Sequence, residues 1–164
     1  MGRPPRGRAV IGAALVTGAL LAACGAPSGN HEIGALRTAD GQGIEVRVVL
    51  CPRQAVSFVE LVSTTDAVVG DDKDPVLWKV VAQPPVAADT FVAGRTPAGF
   101  RQNVALGAAP QAALSVGFLV GTSLGQTAVG FTPGQLRTDA IWSDGASLSP
   151  QAFQRQAGGH CGGT

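Results

Sequence analysis

Apolar residues recur at every second position through most of the chain after residue 43. The clearest stretch is 114–120, where Leu, Val, Phe and Val are separated by single intervening residues. A two-residue period places alternate side chains on opposite faces of a strand. This period, or a short β-branched and aromatic run, predicts strands at 44–50, 57–62, 76–80, 90–93, 100–106, 114–120, 129–131 and 138–142.

Turn-forming residues separate these stretches. Asp40-Gly41 and the glycine-rich run 121–125 suit tight turns, and Pro133-Gly134 suits the centre of a type II turn. The segment 96–99 has Pro second and Gly fourth, which also indicates a turn. Pro84-Pro85 is expected to end the strand that begins near residue 76, because proline has no amide hydrogen for the ladder.

One helix is predicted near the C-terminus. Ser149 can cap it and Pro150 suits its first position, while Gly158-Gly159 is expected to end it. Short strands with frequent turns predict an all-β fold, an immunoglobulin-like antiparallel β-sandwich of about seven to eight strands with one short C-terminal helix. The term describes architecture only, since the Cys…Trp…Cys spacing of antibody domains is missing. A small barrel is the alternative.

The N-terminus has the pattern of an export signal. Three arginines precede a short apolar run at 9–20, which is too short to span a bilayer and is followed by small residues. The next residues, Leu21-Ala22-Ala23-Cys24, resemble the lipobox of bacterial lipoproteins. The resemblance covers the first 24 residues and implies cleavage before Cys24, whose thiol receives a diacylglycerol. An ordinary signal peptide with an incidental cysteine is the alternative.

These features divide the chain into three parts. Residues 1–23 form the predicted signal peptide, 24–43 the lipid anchor and flexible tether, and 44–164 a single β-sandwich domain. Nine basic and eleven acidic residues follow residue 23, so the mature net charge is −2. Without a basic stripe, nucleic acid is not an expected partner. Composition also points to a GC-rich bacterial genome.

Lipidation of Cys24 leaves two cysteines in a compartment where disulfides persist. We therefore predict a disulfide between Cys51 and Cys161. Two free thiols, or a metal site with His160, are the alternatives. The pair has no Cys-x-x-Cys spacing, which makes zinc the weaker interpretation.

Gly121-Thr122-Ser123-Leu124-Gly125 matches the G-x-S-x-G nucleophile elbow of α/β-hydrolases, and Asp139 or Asp144 and then His160 follow in hydrolase order. An elbow requires a helix after the serine, whereas residues 126–131 have a strand pattern. The chain also has 23 glycines, so a chance match is common. A hairpin turn is the preferred interpretation.

Other candidate sites are weaker. Asp71, Asp72 and Asp74 carry calcium-type oxygen ligands but lack the loop spacing that calcium motifs need. Trp78 and Trp142 occupy strand positions that favour core packing over sugar binding. We expect no cofactor and no metal. The loop at 66–74 and the turn at 95–101 are the expected contact regions.

The sequence thus predicts a non-enzymatic binding or accessory module on the extracytoplasmic side of the cell membrane. The membrane is contacted through lipidated Cys24, and an envelope protein or a small ligand is the expected partner. The alternative is a small envelope hydrolase that uses Ser123 with His160.

Overall fold

The computed structural model describes residues 32–64, 69–70 and 73–161. They form ten strands and one α-helix: β1 (Glu32–Arg37), β2 (Ile44–Val49), β3 (Val56–Ser63), β4 (Val76–Val86), β5 (Thr90–Val92), β6 (Arg101–Val104), β7 (Val116–Thr122), β8 (Gly125–Phe131), β9 (Ile141–Ser143), β10 (Ala146–Leu148) and α1 (Pro150–His160). Leu21–Cys24 and the rest of the predicted signal lie outside the described residues.

The strands make two antiparallel sheets of five, in the orders β10-β9-β1-β2-β5 (sheet A) and β6-β4-β3-β7-β8 (sheet B). The predicted all-β sandwich with a short C-terminal helix is confirmed, with ten strands in place of seven to eight. That it is immunoglobulin-like stays a prediction.

The core lies between the two sheets and follows the two-residue period. Val46 and Val48 of β2 belong to the same buried cluster as Val59 and Leu61 of β3, and all four are nearly without solvent contact. Trp78 is completely buried, as predicted. Aromatic residues fill the remaining volume, and the Phe118 and Phe131 rings lie 5.7 Å apart. Alternate residues of each strand therefore direct their side chains away from the core.

Strand β1 is the main correction to the predicted domain boundary. The sequence pattern places residues 32–37 in the tether, but they form a central strand of sheet A between β2 and β9. Helix α1 covers the outer side of this sheet, where Phe153 is fully buried beside Leu36 and Ile141. With both faces covered, β1 is buried from Glu32 to Leu36, and its central residues 33–36 are apolar without alternation.

Predictions at two proline-containing segments were also wrong. Strand β4 continues through Pro84-Pro85 to Val86, because its ladder with β3 has an irregularity between the Phe58↔Val81 and Val56↔Val86 pairs. The prolines fall in that gap, where no ladder amide is needed. Residues 133–135 form a 3₁₀ turn in place of the predicted type II turn.

The helix prediction is confirmed at its start and is wrong at its end. The Ser149 side chain accepts a hydrogen bond from the Ala152 amide at 3.2 Å, as an N-cap does. Helix α1 passes through Gly158 and Gly159 and ends at His160. Cys161 follows and is covalently fixed to Cys51.

Candidate functional site

Ser123 lies in the two-residue turn of the β7–β8 hairpin and is exposed to solvent. Its amide donates to the Ala55 carbonyl at 3.1 Å. A strand follows the turn, so the strand-to-helix elbow that activates a hydrolase serine is replaced by a hairpin. The preferred interpretation of G-x-S-x-G as a hairpin turn is confirmed.

The other residues of the hydrolase hypothesis have different partners. The Arg137 guanidinium binds Asp139 at 3.0 Å, and this hydrogen bond lowers the pKa of the Asp139 carboxyl. Asp144 occupies the β9–β10 turn in a left-handed conformation with φ of 47°. His160 Nε2 lies 3.5 Å from Glu32 Oε2. Asp139, Asp144 and His160 belong to segments on the sheet A side, whereas Ser123 is on sheet B.

Glu32 forms a cluster that sequence analysis missed. Its carboxylate is 8% exposed and accepts from Ser143 Oγ at 2.8 Å and from Gln156 Nε2 at 3.1 Å. Together with His160, these contacts join β1, β9 and α1. No sequence motif reveals this cluster, because its four members are spread over residues 32–160.

The Glu32 cluster contains serine, carboxylate and imidazole, but its order is not that of a catalytic triad. In a triad the imidazole must contact the hydroxyl in order to remove its proton. Here His160 contacts the carboxylate, and the Ser143 hydroxyl is also 2.8 Å from the Ile33 carbonyl. The arrangement satisfies a buried charge and fastens α1 to sheet A.

The predicted disulfide is present beside this cluster. Cys51 and Cys161 are joined with their Cα atoms 5.3 Å apart, across a separation of 110 residues. The bond connects the end of α1 to the loop after β2. The C-terminal helix is therefore fixed by Phe153, by the Glu32 cluster and by a covalent bond.

The outer face of sheet B carries a surface hollow, which we call the outer-face depression. It measures about 350 Å³ and is lined by residues of four strands and of the loop before β4: Phe58, Glu60, Val62, Gly70, Asp74, Val76, Lys79, Leu119 and Gln126. Its lining combines apolar side chains, such as Phe58 and Leu119, with polar and charged ones. A volume of this size is at the lower end of the range for small-ligand sites.

An ion pair crosses the floor of the outer-face depression. Lys79 Nζ binds Glu60 Oε1, and their side chains are 31% and 12% exposed. The same ammonium lies 5.4 Å from the centroid of the Phe58 ring, within the range of a cation–π contact. Because the two charges cancel, this floor has no strong preference for a charged ligand.

Two glycines of β7 make room for side chains that lie across the outer face of sheet B. A Cβ atom at Gly121 would overlap the Phe58 ring, and one at Gly117 would come within 2.5 Å of Val69. Only residues without a side chain let these groups lie flat across the strand. The sequence pattern predicts Gly117 as an intervening strand residue and Gly121 as the start of the 121–125 turn, whereas both lie within β7.

The two contact regions expected from the sequence both border hollows. Asp74, whose carboxylate accepts from the Gly70 amide at 3.1 Å, lies on the rim of the outer-face depression. The calcium hypothesis depends on Asp71 and Asp72, which, like residues 65–68, lie outside the described residues. Gly99 to Arg101 border a second hollow of about 320 Å³ beside Val81.

Within the residues that the structure describes, no three His, Cys, Asp or Glu side chains converge as a metal site would require. The same part of the chain contains no helix whose length and apolar character would let it cross a bilayer. No family model, curated protein or solved structure matches the chain.

Proposed function

We propose that this protein is a lipid-anchored, non-enzymatic binding module of the bacterial cell envelope, and that its outer-face depression contacts the partner. The observation that carries the proposal is the recessed Glu60–Lys79 pair between the apolar side chains of Phe58 and Leu119. Such a surface combines buried apolar area with a few oriented polar groups, which is how recognition sites are built.

The chemistry of the depression favours a neutral group as the bound part of the partner. Glu60 and Lys79 are already paired with each other, so a neutral group gains apolar contact beside them without leaving either charge unpaired. An apolar side chain of an envelope protein, or the neutral part of a small ligand, fits this environment. Asp74 and Gln126 at the rim offer hydrogen bonds that orient the partner.

The proposed placement at the membrane is based on the sequence Leu21–Cys24 and on the Cys51–Cys161 disulfide. A disulfide that closes a long loop is typical of an exported protein. Glu32, where the domain begins, comes eight residues after Cys24. A fully extended chain of that length reaches at most about 29 Å, so the tether would hold the domain near the bilayer.

Site-specific photo-crosslinking on intact cells tests the binding function. A photoreactive residue at Val76, which is 38% exposed and lines the depression, should yield a covalent adduct with the partner. The same residue at exposed Gln151 of α1 is the matched control and should yield none. Leu119→Gln in the Val76 variant should abolish the adduct; equal capture at both positions, or capture unaffected by Leu119→Gln, contradicts the proposed site.

The non-enzymatic part of the proposal has its own test at Ser123. A hairpin serine without a bonded base should not react with a fluorophosphonate probe, which labels activated serines. We expect no labelling of the full chain above that of Ser123→Ala. Labelling that depends on Ser123, and is lost in His160→Ala, would favour the envelope hydrolase instead.

A further inference from the structure

Strand β8 is an edge strand without the features that normally prevent edge pairing. It has seven residues, none of them charged and none proline, and it pairs with β7 along its whole length. The other edge strands are shorter: β5 and β10 have three residues, and β6 has four and begins with Arg101. Short length and charge are the usual protections of an edge, and β8 has neither.

The backbone groups that β8 directs outward follow from the bonding of β7. Ser57 Oγ donates to the Gly121 carbonyl at 3.1 Å, and the Ser123 amide donates to Ala55 at 3.1 Å. Odd-numbered residues of β7 therefore face β3, and even-numbered residues bond to β8. In an antiparallel ladder the bonded residues alternate with residues whose amide and carbonyl face away.

Gln126, Ala128 and Gly130 are the β8 residues that face the open edge, and all three are exposed. One group is already bound, because Trp142 Nε1 donates to the Gly130 carbonyl at 2.9 Å. This indole closes the edge at Gly130. The open part consists of Gln126 and Ala128, next to the turn residue Leu124, which at 64% is the most exposed large apolar side chain of the described residues.

We infer that two copies of this chain pair antiparallel through β8, about a two-fold axis at Gln126. In this register Gln126 exchanges two backbone hydrogen bonds with Gln126 of the partner subunit. Ala128 then lies opposite the partner's Leu124, and the exposed leucine is covered. An axis at Ala128 would instead bring Gln126 against Gly130, where the Trp142 indole lies.

A second copy suits this edge because of its charge. An isologous contact places each group beside its own counterpart, so any charged residue near the axis would repel itself. Strand β8 has no such residue. The pairing would join the two copies of sheet B into one ten-stranded sheet, with both outer-face depressions on the same sheet surface.

Cysteine crosslinking tests this register in the full chain, expressed in bacterial membranes. Gln126→Cys should give a covalent dimer on mild oxidation, since opposed residues of adjacent strands have Cα separations that a disulfide can bridge. Asn103→Cys is the matched control, because Asn103 is exposed on β6, the other edge of the same sheet. It should remain monomeric. Mass spectrometry of the linked peptide distinguishes a 126–126 bond from one involving Cys24.

A second substitution identifies strand pairing as the cause. Ala128→Pro in the Gln126→Cys chain removes an outward amide that makes no bond to β7, and it should lower the dimer yield about tenfold or more. Ala128→Lys provides the same test by charge if the proline variant fails to fold. The inference is overturned if Gln126→Cys stays monomeric, if it links to a different protein, if Asn103→Cys dimerises equally, or if a folded Ala128 variant dimerises as before.

Discussion

At the scale of single residues, the glycines of β7 determine how side chains pack on the outer face of sheet B. The strand's inward residues Val116, Phe118 and Val120 are buried in the core. Its outward residues include Gly117 and Gly121, which leave space for Val69 and Phe58 to lie across the strand. Glycine normally weakens a strand, so its use here indicates a packing requirement of the outer face.

Gly121→Ala should therefore destabilise the fold. The added methyl group overlaps the Phe58 ring and forces it to move, which typically costs about 1–3 kcal/mol in the free energy of unfolding. Gly158→Ala is the matched control, since Gly158 is an exposed helix residue with open space around it. It should stabilise the fold by up to about 1 kcal/mol. Urea unfolding of both variants measures the difference, and equal shifts would contradict the packing argument.

Asp40 gives a residue-scale prediction about pH. Its side chain accepts hydrogen bonds from the Thr38 hydroxyl and the Gln42 amide, which hold the pKa of the carboxyl below its ordinary value of 3.8. A lowered folded-state pKa contributes stability above the unfolded pKa and loses it as the pH falls through the folded one. Thr38→Val should raise the Asp40 pKa toward 3.8 in an NMR titration, whereas Thr96→Val should not. An unchanged Asp40 pKa in Thr38→Val would refute the assigned cause.

At the scale of elements, the sequence predicts strands wherever one face is buried and the other is not. Strand β2 alternates apolar and polar residues, and its predicted bounds of 44–50 nearly match the observed Ile44–Val49. Strand β1 was missed because α1 and the core cover both of its faces, which removes the alternation. Strand β10 has only three residues, too few for a period to appear.

Residues distant in sequence explain the remaining differences at this scale. The helix continues past two glycines because the Glu32 cluster and the disulfide hold its last turn. The outer-face depression could not be predicted, since it needs the β3–β4 and β3–β7 registers to bring Glu60, Lys79 and Leu119 together. Period-two patterns identify strands but not which strands are neighbours.

Loss of the disulfide should weaken the attachment of α1 and the fold as a whole. The Cys51→Ser, Cys161→Ser double variant removes a link that closes a loop of 110 residues, worth about 4–5 kcal/mol in the chain-entropy model. Urea unfolding should show a correspondingly lower midpoint, equal to that of the reduced wild-type protein. Thiol labelling of the unfolded, unreduced chain should find neither cysteine free. A double variant as stable as the oxidised protein would contradict this role.

At the scale of the whole molecule, both ends of the described domain meet. Glu32 at the start of β1 contacts His160 at the end of α1, and Cys161 follows directly. If Cys24 is lipidated, the short segment before Glu32 emerges from this same corner of the domain.

Replacement of Cys24 tests the anchor on which this arrangement depends. The thiol is the group that receives the diacylglycerol in the lipobox interpretation, so Cys24→Ser should abolish lipid attachment and cleavage at that bond. Each buried CH₂ contributes about 0.8 kcal/mol, so losing two or more acyl chains removes nearly all of the lipid contribution to membrane affinity. Incorporation of a labelled fatty acid, intact mass and detergent partitioning measure the change. The Cys51→Ser, Cys161→Ser variant is the control and should keep its lipid, because the two replaced residues lie within the folded domain. A Cys24→Ser protein with unchanged mass and unchanged partitioning would refute lipidation at Cys24, while the crosslinking tests of the depression and of β8 would stand independently.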